Sequence, residues 1–209
     1  MKLNQPKIYN KDEFNFRIKK LDLEIEKLGY KILKNFLSKN QILSANRIKS
    51  CIDLWKVIRK NGSADRLNPE GGLDSIMFIG INPSHRSKLT RVWDDPFGKF
   101  FKKLLIEAKI HPKKVWMTNL YKKITEDNRK LNDEEVEKGI EELIHEIGFV
   151  NPTVIVLLGE FVSEKVNNKI IHPNIIKINH PTYLVRKNTK EERLRYISQL
   201  KELKKYESS

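Results

Sequence analysis

The chain has 209 residues, of which 39% are hydrophobic and 33% are charged, a balance typical of a soluble globular protein with one sizeable core. No apolar run approaches the roughly 18 residues that a membrane span needs, and the N-terminus lacks the apolar core of a secretory signal, so we expect no membrane partner. The single cysteine, Cys51, excludes an internal disulfide and a cysteine-only metal cluster. We therefore expect an intracellular, cytoplasmic protein, associated with the nucleoid if the source is prokaryotic.

The net charge of the chain is +14 at pH 7, a large surplus for 24.7 kDa. Such a surplus favours a polyanionic partner, and nucleic acid first. A lysine-rich proteome, in which lysine covers every surface, would give the same composition. Residues 1–70 are more basic per residue than the rest of the chain.

Two amphipathic helices are predicted in residues 1–70, which we interpret as an N-terminal helical extension and linker. The first covers residues 11–38 and carries an apolar stripe from Phe14 to Ile32 at spacings of three and four. This stripe would serve a partner or a second copy of the chain, or pack on its own domain, which is the favoured interpretation for so few heptads. The second helix covers about 42–60, and a loop rich in Gly and Pro follows.

Residues 71–209 alternate between short apolar runs and amphipathic stretches. Strands are predicted at 76–79, 115–120, 154–159 and 175–178, and helices at about 96–108, 132–147, 160–168 and 189–206. Near-continuous apolar strands that alternate with helices indicate a parallel sheet covered on both faces. We therefore predict an α/β domain with three α/β/α layers and a four-stranded parallel sheet.

Three polar residues follow three of these strands directly: Asn82, Asn119 and His180. The carboxyl ends of parallel strands share one edge of the sheet, so we expect these side chains to line one crevice. The chain has no Walker loop, no paired-glycine dinucleotide fingerprint, no zinc spacing and no serine nucleophile elbow. The candidate site is thus two amides that can read base edges, one imidazole, and a rim of Lys and Arg for phosphates. Basic residues also follow the second strand, namely Lys122, Lys123, Arg129 and Lys130.

These motifs resemble the uracil-DNA glycosylase superfamily over roughly residues 74–205. The stretch Gly80-Ile81-Asn82-Pro83-Ser84 is similar to the first motif of the mismatch-specific uracil/thymine branch. Thr118-Asn119 resembles the strand whose Asn reads the flipped base. The final motif, residues 180–186, and the Pro-Phe-x-Gly-like segment, residues 95–98, resemble the thermostable iron–sulphur branch. Each motif is short, but their order and their strand-end positions form a joint signal.

The resemblance implies a monofunctional DNA glycosylase that flips out and hydrolytically excises uracil or a related or modified pyrimidine. It implies that Asn82 orients the attacking water and that His180 stabilises charge on the departing base. Asn119 would read the base edge and Ile81 would contact the base. Phe97 would stack on the base or pack in the core. Asp94 or Asp95 would assist as a carboxylate or simply cap the following helix, and capping is the favoured role.

The remaining roles implied by the resemblance concern DNA outside the base pocket. Ser84, Thr182 and Arg186 would hold phosphates, and Tyr183 and Leu184 would fill the gap left by the flipped nucleotide or pack within their loop. The iron–sulphur branch has four cysteines, so we predict no cluster, no metal and no cofactor here. Ser84 stands where the first motif usually has glycine.

Two further interpretations stay open at this point. One is a nucleic-acid-binding protein of the same fold without glycosylase activity, which would bind in a base-dependent way without releasing a base. The other is an interaction protein that recruits a partner through helix 11–38. Whether a glycosylase would serve base-excision repair or defence against modified foreign DNA is also open, and fold similarity alone does not decide it.

Overall fold

The structure is a computed structural model that describes residues 75–84, 93, 95–125 and 129–207, together with six isolated residues: Ser50, Asp53, Leu54, Lys56, Val57 and Gly72. Four parallel strands form one sheet in the order β2-β1-β3-β4. Their bounds are Ile76–Gly80 (β1), Val115–Asn119 (β2), Val154–Leu158 (β3) and Ile175–Ile178 (β4). The predicted strands are confirmed to within one residue at each end.

Five α-helices connect or follow the strands in the described part of the chain: Pro96–Glu107 (α1), Asp133–Val150 (α2), Glu160–Val166 (α3), Thr182–Lys187 (α4) and Lys190–Glu202 (α5). Short 3-10 helices cover Pro112–Lys114 and Leu203–Tyr206. None of the described helices is long and apolar enough to cross a membrane.

Helices cover both faces of the sheet, because alternate residues of each strand point to opposite sides. Met77 and Ile79 of β1 belong to a core cluster that includes apolar residues of α2 and α3. Ile76 and Phe78 belong to the opposite cluster, which includes apolar residues of α1 and α5. This arrangement confirms the predicted three-layer α/β/α fold.

Side-chain caps explain where three helices begin. Asp95 caps α1 by accepting a hydrogen bond from Gly98 N at 2.7 Å, and Pro96 occupies the first turn. Asn132 and Glu135 form a reciprocal capping box at the start of α2. Thr189 caps α5 through Glu192 N. The predicted starts are confirmed, while α2 continues three residues beyond the predicted end at Ile147, to Val150.

The short helix α4 replaces a segment that the sequence predicted as a loop. It has six residues, too few for a hydrophobic period to be visible, and Asn188 ends it in a left-handed conformation with φ 49°. On α4 Leu184 is 6% exposed and packs in the cluster that α1 and α5 share. The helix therefore has a fixed inner side, and its outer side faces the cleft described below.

The predicted N-terminal helices fall largely outside the described residues. The helix over 11–38, and any association through residues 14–32, lies wholly outside them. Within the second predicted helix, the described positions are helical, and Leu54 is buried in the cluster with α2 and α3. A methyl group added at Gly148 of α2 would lie 2.9 Å from Ser50 Oγ, so this part of the chain packs against α2.

Candidate active site

A cleft of about 710 Å³ lies at the carboxyl edge of the sheet. Every strand contributes to it, because the residues just beyond each strand end line its walls. Nine of the ten site residues predicted from the sequence line this cleft: Ile81, Asn82, Ser84, Phe97, Asn119, His180, Thr182, Tyr183 and Arg186. The structure therefore brings together residues that are up to 105 positions apart in the chain, from Ile81 to Arg186.

The tenth residue, Leu184, lies in the core and not in the cleft wall. Because it is 6% exposed, it has no surface to offer to DNA in this conformation. The prediction that Leu184 fills the gap in the duplex is corrected accordingly. Its neighbour Tyr183 is half-buried and lines the cleft, with the Lys187 ammonium 5.9 Å from the centre of its ring.

Asn119 presents a buried amide to the cleft. It is the last residue of β2, pairs in register with Gly80, and is 4% exposed. No described residue forms a hydrogen bond with its side chain, although a buried amide normally has partners for both its oxygen and its nitrogen. A methyl group added at Gly80 would lie 2.5 Å from Asn119 Oδ1, so Gly80 makes the room for this amide. The amide is thus arranged to bind a ligand that carries both donors and acceptors.

Lys122 supports Asn119 from beneath and is not part of a basic rim. It is 1% exposed, and its ammonium donates to the backbone oxygen of Asn119 at 3.1 Å. Its Nζ also lies 2.9 Å from a carboxylate oxygen of Glu146 and 3.6 Å from one of Glu142. The expectation that a basic rim follows β2 is therefore wrong for Lys122, whose charge is used inside the protein.

Glu146 joins this ion pair to the body of β2. Its two carboxylate oxygens accept from Trp116 Nε1 at 2.7 Å and from Thr118 Oγ1 at 3.1 Å.

Arg129, another residue of the expected rim, donates to both carboxylate oxygens of Glu135 at 2.7 Å. Hydrogen bonds from Arg129 lower the pKa of that carboxyl. Among the described lining residues, Arg186 is the one with a cationic side chain.

Asn82 is held in one orientation by hydrogen bonds from its amide nitrogen. Nδ2 donates to Thr125 Oγ1 at 2.9 Å and to the backbone oxygen of Pro83 at 3.2 Å. No described residue donates to the Oδ1 atom of Asn82, so this oxygen is left as an acceptor at the cleft wall. Thr125 was not anticipated, because nothing in a lone threonine 43 positions away signals this contact.

His180 is held by its own loop and by α5. Its Nδ1 lies 2.9 Å from Thr182 Oγ1 and accepts from Thr182 N at 3.3 Å. The buried hydroxyl of Tyr196 donates to the backbone oxygen of Asn179 at 2.8 Å and fixes the residue before it. Gly159, which follows β3 beside His180, has φ 91°, a backbone conformation that residues other than glycine rarely adopt.

The surroundings of the His180 imidazole determine which of its nitrogens carries the proton and whether the ring is charged. Because Nδ1 accepts a hydrogen bond from a backbone N–H, the neutral ring carries its proton on Nε2. Burial lowers the pKa of His180 to about 4, the Asp95 carboxylate opposes this shift, and Arg186 adds to it. At neutral pH the ring is therefore an uncharged donor.

The segment before α1 forms a further wall of the cleft. Trp93 is 7% exposed, and its Nε1 donates to the backbone oxygen of Thr118 at 3.1 Å. Its ring centre lies 6.1 Å from that of His180 and 5.3 Å from that of Phe101. Sequence reasoning missed Trp93, Glu160 and Asn179 as lining residues, because no motif marks them. Asp94, the alternative to Asp95, lies outside the described residues.

This fold is of the open α/β class, in which ligands bind in a crevice at the carboxyl ends of the parallel strands. The model of the uracil DNA glycosylase superfamily matches residues 72–204, which is more than half of the chain. The chain belongs to the uracil-DNA glycosylase superfamily, as the motif resemblance predicted.

One curated relative is the Type-4 uracil-DNA glycosylase of Archaeoglobus fulgidus, to which this chain is 31% identical over 97 residues. The match covers 44% of this chain and 47% of that protein, so the chain spans about half the length of the curated relative it matches.

The iron–sulphur cluster of the branch that the last motif resembles does not fit this chain. Such a cluster needs four cysteines, and Cys51 is the single cysteine in the 209 residues. Among the described residues, no three His, Cys, Asp or Glu side chains are grouped to bind a metal ion.

Proposed function

We propose that this protein is a monofunctional DNA glycosylase, which hydrolyses the bond between deoxyribose and uracil or a related pyrimidine. The observation that carries the proposal is the buried amide of Asn119 and the neutral imidazole of His180 in the same cleft. The first suits the edge of a pyrimidine, which carries donors and acceptors side by side. The second suits the negative charge that a departing pyrimidine acquires.

Base recognition begins when the nucleotide leaves the stack, at a cost of a few kcal/mol. The base stacks on Phe97, contacts the apolar side chain of Ile81, and pairs with the Asn119 amide. Because Asn119 is buried and its side chain has no described partner, a base that matches both its oxygen and its nitrogen gains the full hydrogen-bonding potential of the amide. A base with the wrong edge leaves that potential unmet and is rejected.

The bond breaks with both electrons moving to the base. The Nε2–H of His180 donates to a base oxygen, and this hydrogen bond strengthens as the oxygen becomes anionic. A neutral imidazole can donate this hydrogen bond without placing a cation in the cleft before the bond breaks. The lowered pKa of His180 keeps the imidazole neutral at neutral pH.

Asn82 positions the attacking water. Its Oδ1 accepts a hydrogen bond from that water, while the bonds from Nδ2 to Thr125 and Pro83 prevent the amide from rotating. Positioning of this kind lowers the barrier even when the positioning group cannot take a proton.

Residues at the mouth of the cleft hold the DNA. Arg186 is exposed and binds a phosphate, Ser84 and Thr182 bind the flanking backbone, and Tyr183 fills the space that the flipped nucleotide leaves. The net charge of +14 supplies a long-range attraction to DNA. DNA affinity should therefore fall steeply between low and moderate salt.

Such a protein would act on DNA in the cytoplasm or nucleoid, in base-excision repair or in defence against modified foreign DNA.

The test is strand cleavage after alkali on labelled oligonucleotides. Each carries one uracil, in a single strand or opposite G or A, beside thymine mismatches and modified cytosines, with EDTA present. Modified bases are included because a cleft of about 710 Å³ has room for substituents on a pyrimidine ring. Alkali-dependent breaks at one base are the expected result and name the substrate.

One control variant ties cleavage to the cleft. His180→Ala should lower cleavage by at least about tenfold while DNA affinity is retained. Base-dependent binding without a break on any substrate would contradict the proposal and favour a binding protein of the same fold.

A further inference from the structure

The indole of Trp93 lies across the floor of the cleft, between the two residues proposed to bind the base. Its Nε1 donates to the backbone oxygen of Thr118 in β2 at 3.1 Å. A methyl group added at Gly80, the last residue of β1, would lie 2.9 Å from Trp93 Cζ2 and 2.5 Å from Asn119 Oδ1. The ring centre of Trp93 lies 6.1 Å from that of His180, which follows β4. The indole therefore reaches from the strand that carries Asn119 towards the loop that carries His180.

The backbone of Trp93 holds the indole in this place. Trp93 has φ 65°, a conformation that a bulky residue adopts only when its surroundings impose it. A methyl group added at Gly98 would lie 2.0 Å from the backbone oxygen of Trp93, so α1 packs directly against this peptide group. Strained residues of this kind cluster at ligand sites. Because the side chain is also 7% exposed, the indole has little freedom to move aside for a ligand.

The amide of Asn119 can read donors and acceptors along a base edge, but it does not measure the size of the base. Uracil presents an oxygen beside an N–H, and the two-ring base hypoxanthine presents the same pair. In the same way, cytosine and adenine both present an amino group beside a ring nitrogen. Hydrogen bonds to Asn119 alone would thus admit bases of both sizes, so a second feature of the cleft has to discriminate between them.

We propose that Trp93 is a specificity-determining residue, whose indole sets the depth of the base pocket and restricts it to one-ring bases. This inference rests on the proposed glycosylase function and adds the size of the base to it. A base that contacts both Asn119 and His180 has to lie against the indole between them. A second ring would enter the volume of the indole or lift the base away from one of its two partners.

The indole acts through its shape. Its one donor, Nε1, is already used by Thr118, so it offers the cleft an apolar ring surface. The room for substituents on a pyrimidine then lies towards the mouth of the cleft, where Tyr183 and Arg186 are found. The floor tests the number of rings in the base, and the mouth leaves space for groups attached to a single ring.

The test compares single-turnover cleavage of the pyrimidine identified above with that of the purine that has the same edge, in the same strand context. That purine is hypoxanthine for a uracil-type substrate and adenine for a cytosine-type substrate. We expect the wild-type chain to cleave the pyrimidine at least about 100-fold faster. Trp93→Leu should lower this ratio by about tenfold or more, and Trp93→Phe by at least about threefold. The ratio is decisive because a merely structural defect slows both substrates alike.

Phe149→Leu is the matched control. It also removes a buried aromatic ring, but Phe149 packs against Trp116 in the cluster on the opposite face of the sheet. The ratio of the two rates should equal that of the wild-type chain. The melting temperature of each variant is measured beside its rates. Trp93→Phe retains an aromatic ring and provides the test if Trp93→Leu does not fold.

The outcomes separate the inference from the proposed function. If the wild-type chain cleaves the pyrimidine but cleaves the matched purine as fast, or if folded Trp93 variants keep the wild-type ratio, the role of Trp93 is overturned and the glycosylase function stands. If the wild-type chain releases no base from any substrate, the glycosylase function fails and the inference fails with it.

Discussion

The ammonium group of Lys122 donates a hydrogen bond to the backbone oxygen of Asn119, with Nζ and O 3.1 Å apart. The same ammonium pairs with Glu146 at 2.9 Å, and both side chains are buried. The residue proposed to read the base is thus tied through its own peptide group to helix α2. The orientation of that peptide group therefore depends on the buried ammonium group of Lys122.

Replacing Lys122 should therefore be costly to the fold. Lys122→Met leaves the carboxylate of Glu146 buried without its cation, and such a loss costs about 3–5 kcal/mol in the free energy of unfolding. Urea denaturation measures this change. The double variant Lys122→Met/Glu146→Gln also removes the charge of Glu146, leaving that of Glu142, and should be more stable than the single variant.

A matched control for this prediction is Lys138→Met, which breaks the exposed pair between Lys138 and Glu134. Its denaturation curve should coincide with that of the wild-type chain, because exposed pairs add little to stability. Equal stabilities for Lys122→Met and Lys138→Met would contradict the role of the buried pair.

Thr125 should matter for catalysis although it does not line the cleft. Thr125→Val keeps the shape of the side chain but removes the acceptor for Asn82 Nδ2, so the amide loses its stronger anchor. We expect the single-turnover rate to fall by about tenfold, with DNA affinity unchanged, because water positioning is impaired. Thr125→Ser retains the hydroxyl and should remain near the wild-type rate. Equal rates in the two variants would show that this anchor is not needed.

Gly80 should tolerate no side chain. The methyl group of Gly80→Ala would lie 2.5 Å from Asn119 Oδ1 and 2.9 Å from Trp93 Cζ2, so both side chains must move. We expect a stability loss of about 1–3 kcal/mol and at least a tenfold lower cleavage rate. Gly148→Ala in α2 meets the Ser50 hydroxyl and no cleft residue, and should cleave normally. A normal rate in Gly80→Ala would mean that the orientation of the Asn119 amide is unimportant.

The partly buried imidazole of His180 makes stability depend on pH. Its pKa is about 4 in the folded protein, below the ordinary value of 6.5, because the ring is buried. Between these values the unfolded chain binds a proton that the folded chain does not, so the free energy of unfolding falls as pH falls from 6.5 towards 4. His180 accounts for roughly 2 kcal/mol of this loss in the free energy of unfolding at pH 4.5.

Comparison with His180→Gln isolates this effect, because carboxylates elsewhere contribute equally to both proteins. Urea denaturation at pH 7 and pH 4.5 should show a smaller loss of stability on acidification in the variant than in the wild-type chain. Identical losses would indicate that His180 titrates normally in the folded state.

Most of the fold could be predicted because the strands are short apolar runs that end in Gly or Asn or are followed directly by one of them. The convergence of the candidate site residues on one cleft could be predicted for the same reason, since parallel strands bring their ends to one edge. Helix α4 was missed because six residues show no period, so the sequence left open whether Leu184 fills the gap in the duplex or packs in the protein.

Lys122 was expected in a basic rim for a different reason. A sequence shows that a residue is charged but not which residues surround it in the fold. A signal was nevertheless present in α2. Glu142 and Glu146 are four residues apart and lie on the face of the helix that also carries the buried Leu143 and Phe149. Two acidic residues within an apolar stripe indicate a buried cation, and Lys122 is that cation.

The contact between Trp93 and His180 gives the protein an optical reporter of its own site. The indole is shielded from solvent, and its ring centre lies 6.1 Å from that of the imidazole at the wall of the cleft. A base that enters the cleft, or a proton that charges the imidazole, changes the electrostatic field around this indole. The intrinsic fluorescence of Trp93, read against a Trp93→Phe variant, can therefore follow substrate entry in real time on unlabelled DNA.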